Sequence, residues 1–369
     1  MKKDRNLSGG TSLNRGREPI SNTNLLMAIT VCTFFGMYGI AMAVWKGGFL
    51  NPQQFLDLFN NNAFLLIIAC GLNMVMISGG IDISGGGITA LVTMVCVVYL
   101  EDHGGTVLGS ILIALGIGLA FGLVQGILVA YLDIQPFIVT LAGMFFARGM
   151  ITIVSIAPRT ASQEAFLKLK QTRITLPGIG YYGKTGNFIP AQIEPGVIVA
   201  IAIVIIVAII LKWTRFGRNL YAIGGNSQSA LTLGINVRKT KFFAYLLAGL
   251  FSGISGYVYL LHTGAGDAAN AAQAEMQAIA SNIIGGTLLT GGVGNVIGTL
   301  FGMLSLKTIT NIVIASGLTK PYYQSITTGL MLCFFILLQS VILAVRERRS
   351  AKSLIPEWMK FKRHEKCES

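Results

Sequence analysis

Residues 63–100 read AFLLIIACGLNMVMISGGIDISGGGITALVTMVCVVYL, two strongly apolar runs that are joined by a glycine-rich stretch around Asp82. Runs this apolar have no polar face to turn toward water, and about 20 such residues cross the roughly 30 Å hydrocarbon core of a bilayer. The pattern therefore predicts membrane helices that are interrupted by a glycine-rich break.

The rest of the chain has the same character. Its 369 residues are 53% hydrophobic and only 12% charged, and 45 of them are glycine, a small residue that lets membrane helices approach closely. We predict an all-α, polytopic helical membrane protein with about ten transmembrane helices and glycine-broken segments. The predicted spans are Leu25–Trp45, Ala63–Ser78, Ile88–Leu100, Val107–Tyr131, Phe137–Ile156, Gly196–Trp213, Phe242–Leu261, Met276–Leu289, Val293–Ser316 and Tyr322–Val345.

Positive charge is concentrated between these spans. Of the 28 Lys and Arg residues, five precede residue 20, six lie in 212–241 and eight follow Val345. Ten spans place all three clusters on one side, which the positive-inside rule makes the cytoplasm. The sequence therefore predicts cytoplasmic basic tails at 1–23 and 346–369, a transmembrane domain at 24–345, an external loop at 158–195 and a cytoplasmic segment at 214–241. Clusters set between apolar runs argue against a nucleic-acid partner.

The glycine-rich stretch at Asp82 has two interpretations. It is either a bent element beside a transport pathway, where a carboxylate at membrane depth faces a cavity or a partner, or a tight turn that Asp82 and Ser84 cap. Arg148, within a predicted span, is a hypothetical partner for Asp82. Residues 77–86 (ISGGIDISGG) also have a similar pattern of glycine and apolar residues to residues 289–298 (LTGGVGNVIG). Paired interrupted spans in two halves of a chain often indicate a transport path.

Residues 214–237 (TRFGRNLYAIGGNSQSALTLGINV) are too polar to span. Standard start and stop signals predict a short helix from Ser227 to Leu233, capped by Asn226 and ended by Gly234. Such a helix suits docking to a cytosolic partner or contact with lipid headgroups.

The sequence offers no catalytic equipment. The stretch Gly178–Thr185 fits a phosphate-loop pattern, but Pro177 before it and Pro190 after it do not suit the required strand and helix, so we predict a plain external loop. The three histidines and five cysteines have no metal-ligand spacing. We predict no catalytic residue, no metal site and no cofactor bound by this chain.

Four segments resemble the permease (transmembrane) subunits of bacterial sugar ABC importers of the ribose/xylose/galactofuranose group. They are residues 78–84 (SGGIDIS), 136–149 (PFIVTLAGMFFARG), 214–226 and 278–294 (AIASNIIGGTLLTGGVG). Residues 141–146 and 285–294 are most similar to galactofuranose-type permeases.

The resemblance implies a multi-pass protein of the bacterial cytoplasmic (inner) membrane that is not itself an enzyme. Its implied partners are the lipid bilayer, a second permease subunit, a cytoplasmic ABC ATPase that hydrolyses ATP, and an external sugar-binding protein. The implied substrate is a monosaccharide, a pentose or hexose, with galactofuranose among the candidates.

The resemblance also assigns residues. An ATPase-coupling helix contains Asn226, Gln228, Ala230 and Gly234; Gln228 and the following Ser229 depart from the family's Glu-Ala. The candidates for pathway or gating residues are polar or glycine residues near the breaks: Asp82, Ser84, Asn73, Arg148, Asn282, Gly285, Gly286, Gly291 and Gly292. The buried amides, Gln125 included, suit either sugar hydroxyls or bridges between helices. The alternative function is an ion-coupled secondary transporter that uses Asp82, the one carboxylate assigned to membrane depth.

Overall fold

Helices dominate the computed structural model, which describes residues 22–45, 49–182 and 187–353. In chain order the elements are α1 (Asn22–Val44), α2 (Pro52–Asn60), α3 (Ala63–Ile77), α4 (Gly85–Glu101), α5 (Val107–Ala130), α6 (Pro136–Val154), β1 (Arg159–Thr160), α7 (Glu164–Gln171), β2 (Ile174–Tyr182), β3 (Phe188–Ile193), α8 (Pro195–Trp213), α9 (Arg215–Gly225), α10 (Ser227–Thr232), α11 (Val237–Thr263), β4 (Ala265–Gly266), α12 (Ala274–Ile284), α13 (Val296–Ala315) and α14 (Pro321–Ser353).

Each of the ten predicted spans coincides with a helix: α1, α3, α4, α5, α6, α8, α11, α12, α13 and α14. Within the described residues, six helices are long and apolar enough to cross a membrane, namely α1, α5, α6, α8, α11 and α13. Helices α2 and α3, bent by 54° at their junction, give a seventh if they form one span. The polytopic helical prediction is confirmed, and ten is an approximate count of complete spans. Of the predicted tails 1–23 and 346–369, residues 1–21 and 354–369 lie outside the described residues, and residues 346–353 continue α14.

The span predicted at Met276–Leu289 is helical only as far as Ile284. Helix α12 has 11 residues, which at 1.5 Å per residue is about 16 Å, half of a bilayer core. It ends where Gly286 adopts a left-handed φ of +89°, and it begins after Gln273, whose φ is +61°. Irregular residues 267–273 therefore supply the other half of this passage.

Glycines allow α5 and α11 to cross with their backbones in contact. Gly118 and Gly122 of α5 face Gly249 and Gly253 of α11, a small-xxx-small arrangement on both helices. A Cβ at Gly249 would overlap the carbonyl oxygen of Gly118 and the Cα of Gly122. This crossing joins the first half of the chain to the second.

The predicted external loop contains structure that an all-α prediction misses. Strands β2 and β3 form an antiparallel hairpin, and β1 pairs with β4 after α11. The Glu101 carboxylate accepts hydrogen bonds from the backbone N–H groups of Ser162 and Gln163, at 2.6 and 3.0 Å, which fastens the insertion to the end of α4. Gly178–Tyr182 lies in β2, residues 183–186 lie outside the described ranges, and a strand rather than a helix follows at Phe188.

Contacts with the two termini of α3 show which loops lie at which end of the helix bundle. The start of α3 lies beside the hairpin, because Asn60 Oδ1 accepts from the N–H of Glu194 at 3.0 Å. We call this the hairpin end. The other terminus of α3, Ile77, accepts from the N–H of Gly292 at 2.9 Å and lies beside α9. We call this the glycine end.

The α5–α11 crossing gives the first prediction. Gly249→Val should destabilise the protein by roughly 1–3 kcal/mol, because the new side chain has to push two backbones apart. Gly116→Val on α5 is the matched control, since nothing lies within 4 Å of its Cβ position. Thermal unfolding of the purified protein in mild detergent measures both; equal losses in the two variants would show that helix propensity, and not the crossing, is responsible.

Candidate functional site

The second half of the segment between α8 and α11 folds as the sequence predicts, whereas α9 in the first half was not predicted. Asn226 caps α10, and its side chain accepts from the N–H of Ser229 at 2.8 Å. Gly234 follows the helix with a φ of +80°, and its N–H donates to Leu231 O at 3.0 Å. This is the usual left-handed end of a helix, which glycine adopts without steric cost. Helix α10 is thus a defined short helix outside the spans.

The surface of α10 combines one anchor with an exposed face. Ala230 is buried and holds the helix against the bundle, whereas Gln228 is exposed. Leu231 and Leu233 are 56% and 78% exposed, so apolar side chains project from a polar segment. Exposed apolar residues set among polar ones are typical of a surface that receives a partner.

Helix α9 connects α10 to the bundle through a junction of glycines at the glycine end. Gly224 abuts the carbonyl of Ile77 and the N–H of Gly292, and Gly291 packs on the backbone of Gly79. A Cβ at Gly224 would overlap both of its neighbours. Three chain segments therefore meet backbone to backbone here.

Tyr221 adds a side-chain link to the same junction. Its hydroxyl donates to Gly294 O at 2.8 Å. Burial raises the pKa of Tyr221 to about 12, so the hydroxyl keeps its proton at neutral pH. The 285–295 loop is consequently attached to α9 at two points.

The two glycine breaks use the same backbone geometry. After α3, the N–H groups of Gly79 and Gly80 bond to Met76 O and Val75 O; after α12, those of Gly286 and Thr287 bond to Ile283 O and Asn282 O. Gly79 and Gly286 both have positive φ. The ends of α10 and α13 have the same geometry at Gly234 and Gly317, so it is the common left-handed end of a helix, and the internal repeat that the sequence suggested stays a prediction.

A buried polar network ties the two breaks together inside the bundle. Asn73 Nδ2 donates to Asn282 Oδ1, Thr287 Oγ1 and Thr299 Oγ1 at 3.1, 2.8 and 3.0 Å. Asn282 Nδ2 donates in turn to Ala69 O at 3.0 Å. Asn73 and Asn282 have no exposed surface, so in this conformation both amides bridge helices. Their part in a pathway stays a prediction.

Gly285 brings α12 and α13 close together beside this network. A Cβ at Gly285 would overlap the backbone of Gly298, and one at Gly302 would overlap the carbonyl of Ser281. The four predicted glycines thus have two roles, with Gly285 and Gly286 at the end of α12 and Gly291 and Gly292 in the junction.

Asp82 acts as a local cap. Its Oδ1 accepts from the N–H and the hydroxyl of Ser84 at 2.8 and 2.6 Å, just before α4 begins at Gly85. Ser84 Oγ also lies 3.3 Å from Gln125 Oε1. Asp82 is buried, and the capped turn is the arrangement that the structure adopts.

The predicted pairing of Arg148 with Asp82 is wrong. Arg148 instead donates from Nη1 to Ala268 O and Asn270 O, at 2.8 and 2.9 Å, and from Nη2 to Ala271 O at 3.2 Å. Irregular backbone at membrane depth has unpaired carbonyls, and a guanidinium with five donors satisfies several of them at once. The guanidinium therefore binds the backbone that precedes α12 and not a carboxylate.

The sequence analysis missed a second carboxylate at depth. Glu275, in the first turn of α12, is buried and packs against Gly86 in the first turn of α4. Its position in a small-residue stretch made it look like part of a loop, so Asp82 seemed to be the one such carboxylate. A side chain at Gly86 would occupy the place of the Glu275 carboxylate. This contact between distant residues reveals the depth of Glu275, and it is visible only in the folded structure.

These features define a class: a multi-pass helical membrane protein in which two glycine-broken elements meet an ordered segment outside the spans. A family model described as "Branched-chain amino acid transport system / permease component" matches residues 54–336, and the chain belongs to this family. It is therefore the permease component of a transport system and not itself an enzyme.

Curated relatives agree with this assignment over nearly the whole chain. The chain is 35% identical to the inner membrane ABC transporter permease protein YjfF of Escherichia coli, covering 89% of this chain and 96% of the relative. It is 33% identical to the fructose import permease protein FruG of Bifidobacterium longum, covering 87% and 89%. It is 32% identical to the ribose import permease protein RbsC of Bacillus subtilis, covering 83% and 91%. The predicted resemblance to ABC importer permeases is confirmed. No solved structure matches the chain.

The glycine junction gives the second prediction. Gly224→Ala should separate α9 from Ile77 and Gly292 and destabilise the protein by roughly 1–3 kcal/mol, because the backbone hydrogen bond between those two residues is lost with the close contact. Thermal unfolding and amide hydrogen exchange at Gly292 measure the change. Gly225→Ala is the control, because its Cβ meets nothing within 4 Å. A Gly224→Ala protein with native exchange at Gly292 would contradict the junction.

Proposed function

We propose that this chain is the transmembrane subunit of an ATP-driven importer and forms the translocation pathway for a monosaccharide. Family membership and the named sugar permeases among its relatives support the transport role. The observation that carries the mechanism is the junction at which α9 touches both glycine breaks. The ion-coupled alternative lacks such support, because the relatives are named as ABC transporter or import permeases.

The exposed face of α10 is the proposed docking site for a cytoplasmic ABC ATPase. Leu231 and Leu233 supply apolar contact, Gln228 supplies a polar one, and the geometry at Asn226 and Gly234 fixes the direction of the helix. ATP is hydrolysed by that partner, and this chain binds no cofactor of its own.

Movement of the docked helix reaches the pathway through rigid contacts. A displacement of α9 acts directly on Ile77 at the end of α3 and on Gly292, because at Gly224 the backbones touch without a side chain between them. The network around Asn73 makes α3, α12 and α13 respond together. ATP binding in the partner then biases an equilibrium between two arrangements of these elements.

The proposed orientation places the glycine end, α9, α10 and both chain termini in the cytoplasm. Basic residues concentrate here, as the positive-inside rule requires: Arg215 and Arg218 lie in α9, and Arg238, Lys239 and Lys241 lie at the start of α11. The hairpin end then faces outward and receives the external sugar-binding protein. A second permease subunit, the same chain or a similar one, completes the pathway.

Reconstitution tests the proposal. The tagged chain, purified from its host membranes in mild detergent, is expected to bring an ATPase with it. In liposomes, the complex with its binding protein should import radiolabelled D-ribose, D-galactose or D-fructose only when ATP is supplied inside. A chain that purifies alone and transports without ATP would refute the importer.

A variant of α10 tests the docking surface in the same assay. Gly234→Val should reduce the amount of co-purifying ATPase at least about tenfold, because a β-branched residue resists positive φ and redirects the chain after α10. Gly317→Val is the matched control, with a φ of +90° and an open Cβ position at the end of α13, away from α10. If both variants retain the ATPase equally, α10 is not the docking helix.

Two single cysteines in a cysteine-free background test the orientation. Cysteine at Tyr182, 76% exposed in the hairpin, should react with an impermeant thiol reagent added outside intact cells. Cysteine at Leu233, 78% exposed after α10, should react only after the membrane is opened. The reverse pattern would invert the proposed topology.

A further inference from the structure

A polar groove of about 540 Å³ lies between α12, α13 and α14. Its volume is in the range of small-molecule sites, roughly 300–1,000 Å³. Seven of its twelve lining residues are polar: Gln273, Gln277, Lys307, Thr310, Gln324, Ser325 and Thr328. None of the twelve is acidic or aromatic.

A second groove in the same bundle shows that this polarity is specific. The groove between α5 and α6 has a similar volume, about 450 Å³, yet Gln125 is the one hydrogen-bonding side chain among its nine lining residues. Apolar lining is what contact with lipid chains requires, whereas polar side chains at membrane depth are costly and mark pathways. The two grooves therefore face different environments.

Lys307 lies at the bottom of the polar groove. It is the twelfth residue of α13, about 16 Å from the start of that helix and close to the middle of a bilayer core. Its ammonium donates to Gln277 Oε1 at 2.6 Å and makes no ion pair among the described residues. Since an ammonium has three donors, it retains donors for an occupant.

Helix directions set the depth of the groove. Gln324 is in the first turn of α14, near the hairpin end, and Gln277 is in the first turn of α12, which begins at mid-depth. The groove thus runs from the hairpin end to the middle of the bundle. Between these two depths the groove is lined by the polar side chains of Thr328 on α14 and Thr310 on α13.

We infer that this groove is a monosaccharide-binding site on the translocation pathway, in which Gln277, Lys307, Thr310 and Gln324 bond the hydroxyl groups of a neutral sugar ring. The inference rests on the proposed import function. Amide and hydroxyl side chains both donate and accept, as sugar hydroxyls do, and the ammonium donates. With no aromatic side chain in the lining, the sugar is held by hydrogen bonds and not by ring stacking.

The test uses the complete reconstituted importer and a threonine pair on α13. Thr310→Val removes a hydroxyl that lines the groove, whereas Thr308→Val removes one that is buried away from it. The two substitutions are chemically identical. Gln324→Leu on α14 and Lys307→Met on α13 are the stronger variants, and both keep the approximate length of the side chain.

Import is measured with whichever of radiolabelled D-ribose, D-galactose or D-fructose the wild-type complex carries, at saturating binding protein. We expect the maximal import rate to fall about fivefold in Thr310→Val and at least about tenfold in Gln324→Leu and Lys307→Met, the loss expected for one or two hydrogen bonds to the sugar. ATP hydrolysis without sugar should stay at the wild-type rate, and Thr308→Val should import normally.

Two outcomes overturn the inference while leaving the importer intact. One is wild-type import by Thr310→Val and Gln324→Leu. The other is an equal loss in Thr308→Val and Thr310→Val, which would trace the effect to packing of α13. Failure of the wild-type complex to import any sugar is a different result, because it refutes the proposed function itself.

Discussion

Contact between bare backbones is the constraint on which the rest of this structure depends. At the glycine junction, Gly224, Gly79, Gly291 and Gly292 bring three segments together without intervening side chains, and at the α5–α11 crossing Gly118 and Gly249 do the same. In lipid, apolar side chains gain little by meeting one another, so close van der Waals packing and interhelical hydrogen bonds hold the helices together. Glycine makes both available, which explains why so many glycines occur in a chain of helices.

The same constraint explains how irregular backbone is tolerated at depth. Every backbone carbonyl or N–H group that a broken helix leaves unpaired has to find a hydrogen-bond partner inside the protein. Arg148 serves the residues before α12, and Asp82 with Ser84 serves the start of α4. The polar side chains of the bundle are therefore first of all partners for the backbone or for one another, and the groove beside Lys307 departs from that pattern.

The sequence predicted the helices and the short segment around α10 well, because hydropathy and cap residues act locally. Asn226 and Gly234 have the roles that their types imply. Three results depended on distant contacts and were beyond such reasoning: the partner of Arg148, the depth of Glu275 and the irregular half of the α12 passage. Each depends on where residues 265–273 fold back, and their small side chains carry no periodic signal. The hairpin in 158–195 was hidden for a different reason, since Gly178 in β2 and Pro190 in β3 are residues that strands usually avoid.

The hydrogen bonds of Arg148 go to main-chain oxygens, those of Ala268, Asn270 and Ala271. Such an anchor is indifferent to the side chains of the segment that it holds. The exposed Ala268 and Ala269 can therefore be exchanged for others while the path of the chain stays the same. Asn270 cannot, because its side chain donates to Thr93 Oγ1 and Ala265 O, and neither can Ala271, which is buried with a φ of +49°. At these two positions the path of the chain does not depend on the side chain, which makes 268–269 a natural place for diversification, in a library or over evolutionary time.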